Sequence, residues 1–107
     1  MAVNQEILNI VEAIKSAVPV ERIYLFGSYA YGTPNKDSDY DFYVIIPDNG
    51  ITSSDAEKTI YKTLARIGRK KPVDVLAKGQ SKFNELAEHP TLERKVKRDG
   101  VLLYGAN

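Results

Sequence analysis

Apolar residues first recur at helical spacing. Ile7, Ile10, Val11, Ile14 and Val18 lie three and four apart, and Asn4 stands where an N-cap belongs. Pro19 ends this stretch, because its ring disfavours helical geometry at Val18. Arg22 to Phe26 is a short, mostly apolar run stopped by Gly27, which predicts a buried strand. Gly27 to Gly32 reads as a turn leading into a single helical turn, and Thr33 to Ser38 as loop. A second strand is expected over Tyr40 to Ile46, closed by Pro47-Asp48-Asn49-Gly50. Ser54-Asp55-Ala56-Glu57 has the form of a capping box before a helix with an Ile60, Leu64 and Ile67 face, bracketed by Gly68 and Pro72. Val73 to Leu76 predicts a third strand. Helix follows from about Ser81 to Arg98, broken at His89-Pro90, and then a Val101–Tyr104 strand. This order predicts an α/β fold, a small mixed β-sheet flanked by helices.

With 107 residues the chain is expected to form one domain, 1–107, around one modest core. Cysteine is absent and His89 is the sole histidine. Disulfide scaffolds, thiol nucleophiles and Cys-based zinc sites are thereby excluded, and a Ser-His-Asp triad has almost nothing to work with. No apolar run approaches membrane-spanning length, and Asn4, Gln5 and Glu6 do not form a signal peptide. The expectation is a soluble, cytoplasmic protein with no membrane partner.

Net charge is +1, but residues 1–57 carry 3 basic and 9 acidic side chains and residues 58–107 carry 12 and 5. Among the early acids, Asp39 and Asp41 stand two apart at the mouth of the second strand. That spacing puts both carboxylates on one face, with Cα atoms ~6.6 Å apart. A like-charge pair there requires a raised pKa or a cation between its members. Asp74 sits among Val73, Val75 and Leu76, where a buried carboxylate must be satisfied by a partner. Should the two strands be neighbours, Asp39, Asp41 and Asp74 converge at one sheet edge. Three oxygen donors suit Mg²⁺ or Mn²⁺ rather than zinc. Taken alone, an Asp-x-Asp pair reads as solvated loop acids, and Asp74 as a structural residue pairing with Lys70 or Lys71. The Gly27-Ser28 turn changes that reading. A glycine that permits close approach and a serine hydroxyl can cradle an anion, and here they precede a divalent-metal pair.

Gly27-Ser28, ten residues, then Asp39-x-Asp41 resembles the signature of the DNA polymerase β-like nucleotidyltransferases. Gly27 to Gly32, Ser38-Asp39-Tyr40-Asp41 and the ending Gly100-Val101-Leu102-Leu103-Tyr104 look like the minimal nucleotidyltransferase group, over nearly the whole chain. The resemblance implies a nucleotidyltransferase fold and an Mg²⁺-dependent transfer of AMP from ATP. It implies that Asp39 and Asp41 hold two Mg²⁺ ions and that Asp74 helps bind the catalytic metal and deprotonate the attacking hydroxyl. Gly27 and Ser28 are implied to contact the triphosphate. The implied partner is a HEPN-domain toxin, AMP being attached to a tyrosine of it, so that the protein acts as an antitoxin. One position departs from the pattern: Tyr31 stands where the group commonly carries Arg.

The alternative is an antitoxin of weak or no catalytic activity that neutralises its partner by binding alone. A receiver-type phosphoacceptor domain shares the clustered acids, but its five βα units do not fit these elements. Lys58, Lys62, Arg66 and Lys70 form a basic ridge, read as ordinary solvated helix surface. Arg94, Lys95, Lys97 and Arg98 are read the same way, with added compensation of a helix dipole. Nucleic acid is a less favoured partner, because the net basic excess is small. Tyr24, Tyr43 and Tyr104 are expected in core or sheet surface. Tyr29 and Tyr31 are placed near the site, within reach of a base, and His89 is read as a helix-break residue.

Overall fold

The computed structural model describes residues 3–35, 38–68 and 71–106. The first helix, α1 (Gln5–Ala17), is capped as its sequence suggests: Asn4 Oδ1 accepts from the Ile7 amide at 2.8 Å. Its buried stripe is Ile7, Ile10, Val11, Ala13 and Ile14, and Val18 is already extended ahead of Pro19. Four strands follow in chain order: β1 (Arg22–Phe26), β2 (Tyr40–Ile46), β3 (Val73–Gly79) and β4 (Val101–Tyr104). Between them lie α2 (Ser28–Tyr31), α3 (Ser53–Leu64), α4 (Gln80–Leu86) and α5 (Leu92–Asp99). The sheet order is β3-β2-β1-β4, with β1 antiparallel to both β2 and β4 and β2 parallel to β3. A parallel pair needs a long crossover, and α3 supplies it.

Strand β2 is the centre of the molecule. Tyr40, Phe42, Val44 and Ile46 join one core cluster with α1, α3, Ile23 and Leu25. On the other face Tyr43 and Ile45 join Tyr24, Phe83 of α4 and Val96 of α5. Burial on both faces explains why β2 reads as a continuous apolar run rather than an alternation. Strand β3 does alternate: Val73, Val75 and Ala77 are buried while Asp74 and Leu76 are exposed. It is an edge strand covered on one face only.

Helix α3 departs from its expected start. Its cap is Thr52, whose side chain accepts from the Asp55 amide, and not the Ser54-to-Glu57 box. Glu57 instead accepts from the Ala77 amide at 2.9 Å, and the Tyr61 hydroxyl accepts from the Val75 amide at 2.7 Å. Both bonds satisfy the outer edge of β3, which would otherwise offer unpaired backbone donors. The helix also ends at Leu64, so Ile67 is half-buried in the turn beyond it. Lys58, Lys62 and Arg66 are exposed, while Lys70 of the ridge and Lys36 and Asp37 of the loop lie outside the described residues. Strand β3 runs three residues past its expected end, because Ala77, Lys78 and Gly79 continue the register with Val44, Ile45 and Ile46.

The break at His89-Pro90 separates α4 from α5 as expected. Thr91 caps α5 by accepting from the Arg94 amide, and it donates to the Leu86 carbonyl at 2.7 Å. At the far end of α5, a side chain at Gly100 would run into the carbonyls of Val96 and Leu25, so the helix end is pressed against β1. Among the described residues no helix is long and apolar enough to cross a membrane.

Candidate active site at the Gly-Ser turn

The register of the sheet brings the sequence-predicted acids together. Asp41 is the Cα partner of Asp74 across the parallel β2–β3 pair, so both side chains leave the same face. Asp39, two residues before Asp41, shares that face just ahead of the strand. It is the face that Tyr43 and Ile45 line and that α4 and α5 cover further along. On the other side, Asp41 is the partner of Phe26, the last residue of β1. The chain turns there through Gly27 into α2, which Gly32 closes in the left-handed region.

Gly27 is required on two counts. Its φ of 73° lies in the left-handed region, and a Cβ at this position would collide with the Asp41 carboxylate. The turn and the acid are thus in direct contact, which spacing alone could not establish. Ser28 opens α2 and is half-buried. The amides of Ala30 and Tyr31 are both bonded to the Gly27 carbonyl at 3.1 Å.

Asp41 is pushed up to about 6 from an ordinary 3.8. Burial is the largest cause, followed by the charges of Asp74 and Asp39 and a hydrogen bond with Asp74. Asp74 is exposed, so it does not need the partner that burial among its aliphatic neighbours would have required. An edge strand with one solvated face carries a carboxylate without a compensating partner. The donor set is oxygen only and suits Mg²⁺ or Mn²⁺. Among the described residues, however, no three acids are drawn into a ready-made metal-binding group. The charges of Asp74 and Asp39 bear on Asp41 there.

Around the acids the tyrosines differ in role. The Tyr29 ring packs on Tyr40, with centroids 4.7 Å apart, and the Lys71 ammonium lies 5.8 Å from it. Tyr31 is half-buried and its hydroxyl is pushed up, chiefly by burial, then by the charges of Asp99 and Asp41, against a hydrogen bond from the Gly27 backbone. The Lys95 ammonium lies 4.7 Å from the centre of the Tyr31 ring. Tyr24 and Tyr43 are core residues, and Tyr104 is exposed. His89 is exposed in the break between α4 and α5.

Sequence reasoning missed two residues here. Glu93 is only 8% exposed and accepts from the Tyr43 hydroxyl at 2.8 Å, two residues along the strand from Asp41. Burial and this bond push the Tyr43 phenol far up, so it stays a donor. Lys95, read as part of a solvated basic cluster, is at Tyr31. The spacing of Glu93 and Val96, three apart on one helix face, was the available signal for the first. None existed for the second, which depends on where α5 lies. Two others of the cluster are engaged locally, Arg98 pairing with Asp99 at 2.9 Å and Arg94 donating to the carbonyls of Ala87 and Glu88, while Lys97 lines the cleft at the other end of β1.

A cleft of about 450 Å³ lies elsewhere, at the opposite end of β1, lined by Glu21, Arg22, Gln80, Asn84, Lys97 and Ala106. It holds none of the three aspartates. Asp74 is exposed at the outer strand of the sheet and Asp39 and Asp41 are half-buried beside it.

The pattern of the family described as Polymerase beta, Nucleotidyltransferase matches residues 8–107, and the chain belongs to that family. Solved structures agree on the fold. A candidate nucleotidyltransferase from Sulfolobus solfataricus superposes with a TM-score of 0.65 at 21% identity, covering 94% of this chain and 78% of the other. A toxin–antitoxin solved with AMP-PNP gives 0.61 at 23% identity, covering 97% and 76%. A mutant of the toxin–antitoxin MntA-HpeT gives 0.59 at 22%, covering 98% and 76%. No curated protein matches the chain in sequence.

Proposed function

We propose that this nucleotidyltransferase moves AMP from ATP to a hydroxyl of a partner protein, a tyrosine of a HEPN-type toxin, and so acts as its antitoxin. The observation that carries the reading is the pairing of Asp41 with Asp74 directly against Gly27. The similarity to structures described as toxin–antitoxin complexes, one of them with AMP-PNP, supports the choice of partner and nucleotide.

In this reading Asp39, Asp41 and Asp74 would hold two Mg²⁺ ions. When bound, the ions polarise the α-phosphate and neutralise charge on the leaving oxygens. Gly27 and Ser28 present backbone and hydroxyl donors to the triphosphate. The tyrosyl oxygen attacks the α-phosphorus, forming a new P–O bond as the bond to the β-phosphate's bridging oxygen breaks and pyrophosphate leaves. Asp74 receives the hydroxyl proton; its exposure on an edge strand leaves it open to an acceptor arriving from outside. No histidine or thiol is needed in this scheme, and the chain has no cysteine.

Incubation of the chain with its toxin partner, Mg²⁺ and α-labelled ATP tests the reading. The expected result is one AMP added per toxin chain, lost by at least ~100-fold in Asp39→Asn, Asp41→Asn and Asp74→Asn, as for removal of a principal electrostatic group. Unlabelled toxin that is nevertheless neutralised, equally by the three Asn variants, would instead establish an antitoxin that works by binding alone. Tyr31, where the group commonly carries a cation, is what favours that second reading.

A further inference from the structure

The Gly-Ser turn offers a polyphosphate only dipoles. Among the described residues Gly27 to Gly32 contain no cation, and every acid placed at the site adds negative charge. Beyond the charge that the proposed Mg²⁺ ions would bring, a triphosphate at this turn gains from a cationic side chain on another element. Helix α5 delivers it.

The helix is fixed against the sheet by two buried groups. Val96 is fully buried, and Glu93 takes the Tyr43 hydroxyl bond on the same strand as Asp41. Its C-terminal end is pressed on β1 at Leu25, next to the strand end from which the Gly-Ser turn departs. From this position Lys95 reaches the Tyr31 ring, 4.7 Å from its centre. Tyr31 in turn lies within the electrostatic field of Asp41, and its hydroxyl faces the Gly27 amide. The ring is therefore a platform between the acids and an ammonium group. Arg98 is committed to Asp99 through two hydrogen bonds, at 3.1 and 2.9 Å. Lys95 is in no ion pair among the described residues; its charge also acts on Asp99, but that carboxylate is held by Arg98.

We infer that Lys95, held over the Tyr31 ring, is the residue that binds the β- and γ-phosphates of the nucleoside triphosphate, a cation supplied by α5 in place of one on the turn. This rests on the proposed function, since it assumes a nucleoside triphosphate at the Gly-Ser turn. A lysine is suited to the task because its three donors rotate freely onto whichever phosphate oxygens are presented. It discriminates by phosphate number. A nucleoside monophosphate has no group that would reach it.

Equilibrium displacement of a fluorescent ATP analogue by ATP or by AMP, in Mg²⁺, tests this without any transfer step. Lys95→Ala is expected to weaken ATP by ~10-fold, the size of one charge-assisted contact, while AMP changes by less than ~2-fold. Lys95→Arg should recover most of the loss. Lys97→Ala, the same charge change on the same helix beside the distant cleft, should match the wild type. Equal ATP affinity in Lys95→Ala and wild type, or a parallel loss of ATP and AMP, would overturn the inference and leave the transferase reading standing. A wild-type chain that binds neither nucleotide would overturn both.

Discussion

At the scale of single residues, Asp41 carries the cost of the site. It is half-buried, and it feels the charges of Asp74 and Asp39. Its folded pKa of about 6 lies above the ordinary 3.8, so between those values the folded chain binds more protons than the unfolded one. Linkage then makes this group's contribution to stability fully present below about pH 4 and lost as pH rises through 6. Asp41→Asn removes that loss. The variant is expected to melt ~4–8 °C above the metal-free wild type at pH 7.5, equivalent to about 1 kcal/mol, with the gap closing toward pH 4.5. Thermal unfolding at the two pH values in the presence of a chelator checks this; a gap independent of pH would contradict it. A substitution that stabilises the fold while abolishing transfer is the expected mark of a functional acid. The Asp39-x-Asp41 spacing was legible because two residues apart on a strand must share a face. That Asp74 is exposed was not, since only the sheet order reveals that β3 is an edge.

At the scale of elements, α5 is the one whose role sequence understated. Its local signals were present: Thr91 at the cap, the break at Pro90 and basic residues in the last turn. Its position is set by long-range contacts, above all the Tyr43–Glu93 bond. Tyr43→Phe keeps the ring that packs on Phe83, at 5.2 Å, but deprives a nearly buried carboxylate of its donor. A loss of about 1–3 kcal/mol is expected, from the desolvation of an unsatisfied acceptor. Urea unfolding should show a lower midpoint at an unchanged slope; a midpoint equal to wild type would mean that the bond does not anchor α5. Strands β1, β2 and β4 were legible to the residue from apolar runs stopped by Gly or Pro. The last residues of β3 were not, because Lys78 and Gly79 carry no strand pattern and are extended only by their register with β2. The start of α3 was misplaced for a similar reason. Thr52 and Ser54 are both competent caps, and Glu57 is drawn away to the edge of β3.

At the scale of the whole molecule, the charge asymmetry of the sequence becomes a spatial one. Asp39 and Asp41 of the acidic first half lie where β2 begins, beside the end of β1, and α5 brings Lys95 of the basic second half to the Tyr31 ring nearby. The site is open toward β3, where Asp74 and Leu76 are exposed, and it is distinct from the cleft at the other end of β1.

The most direct measurement is a titration of the chain with Mn²⁺, read by the electron paramagnetic resonance of the free ion, in the presence of a non-hydrolysable ATP analogue. Two Mn²⁺ bound per wild-type chain, falling by at least one in each of Asp39→Asn, Asp41→Asn and Asp74→Asn, is the predicted result. Mn²⁺ uptake by the wild type no greater than by the three variants would contradict the account.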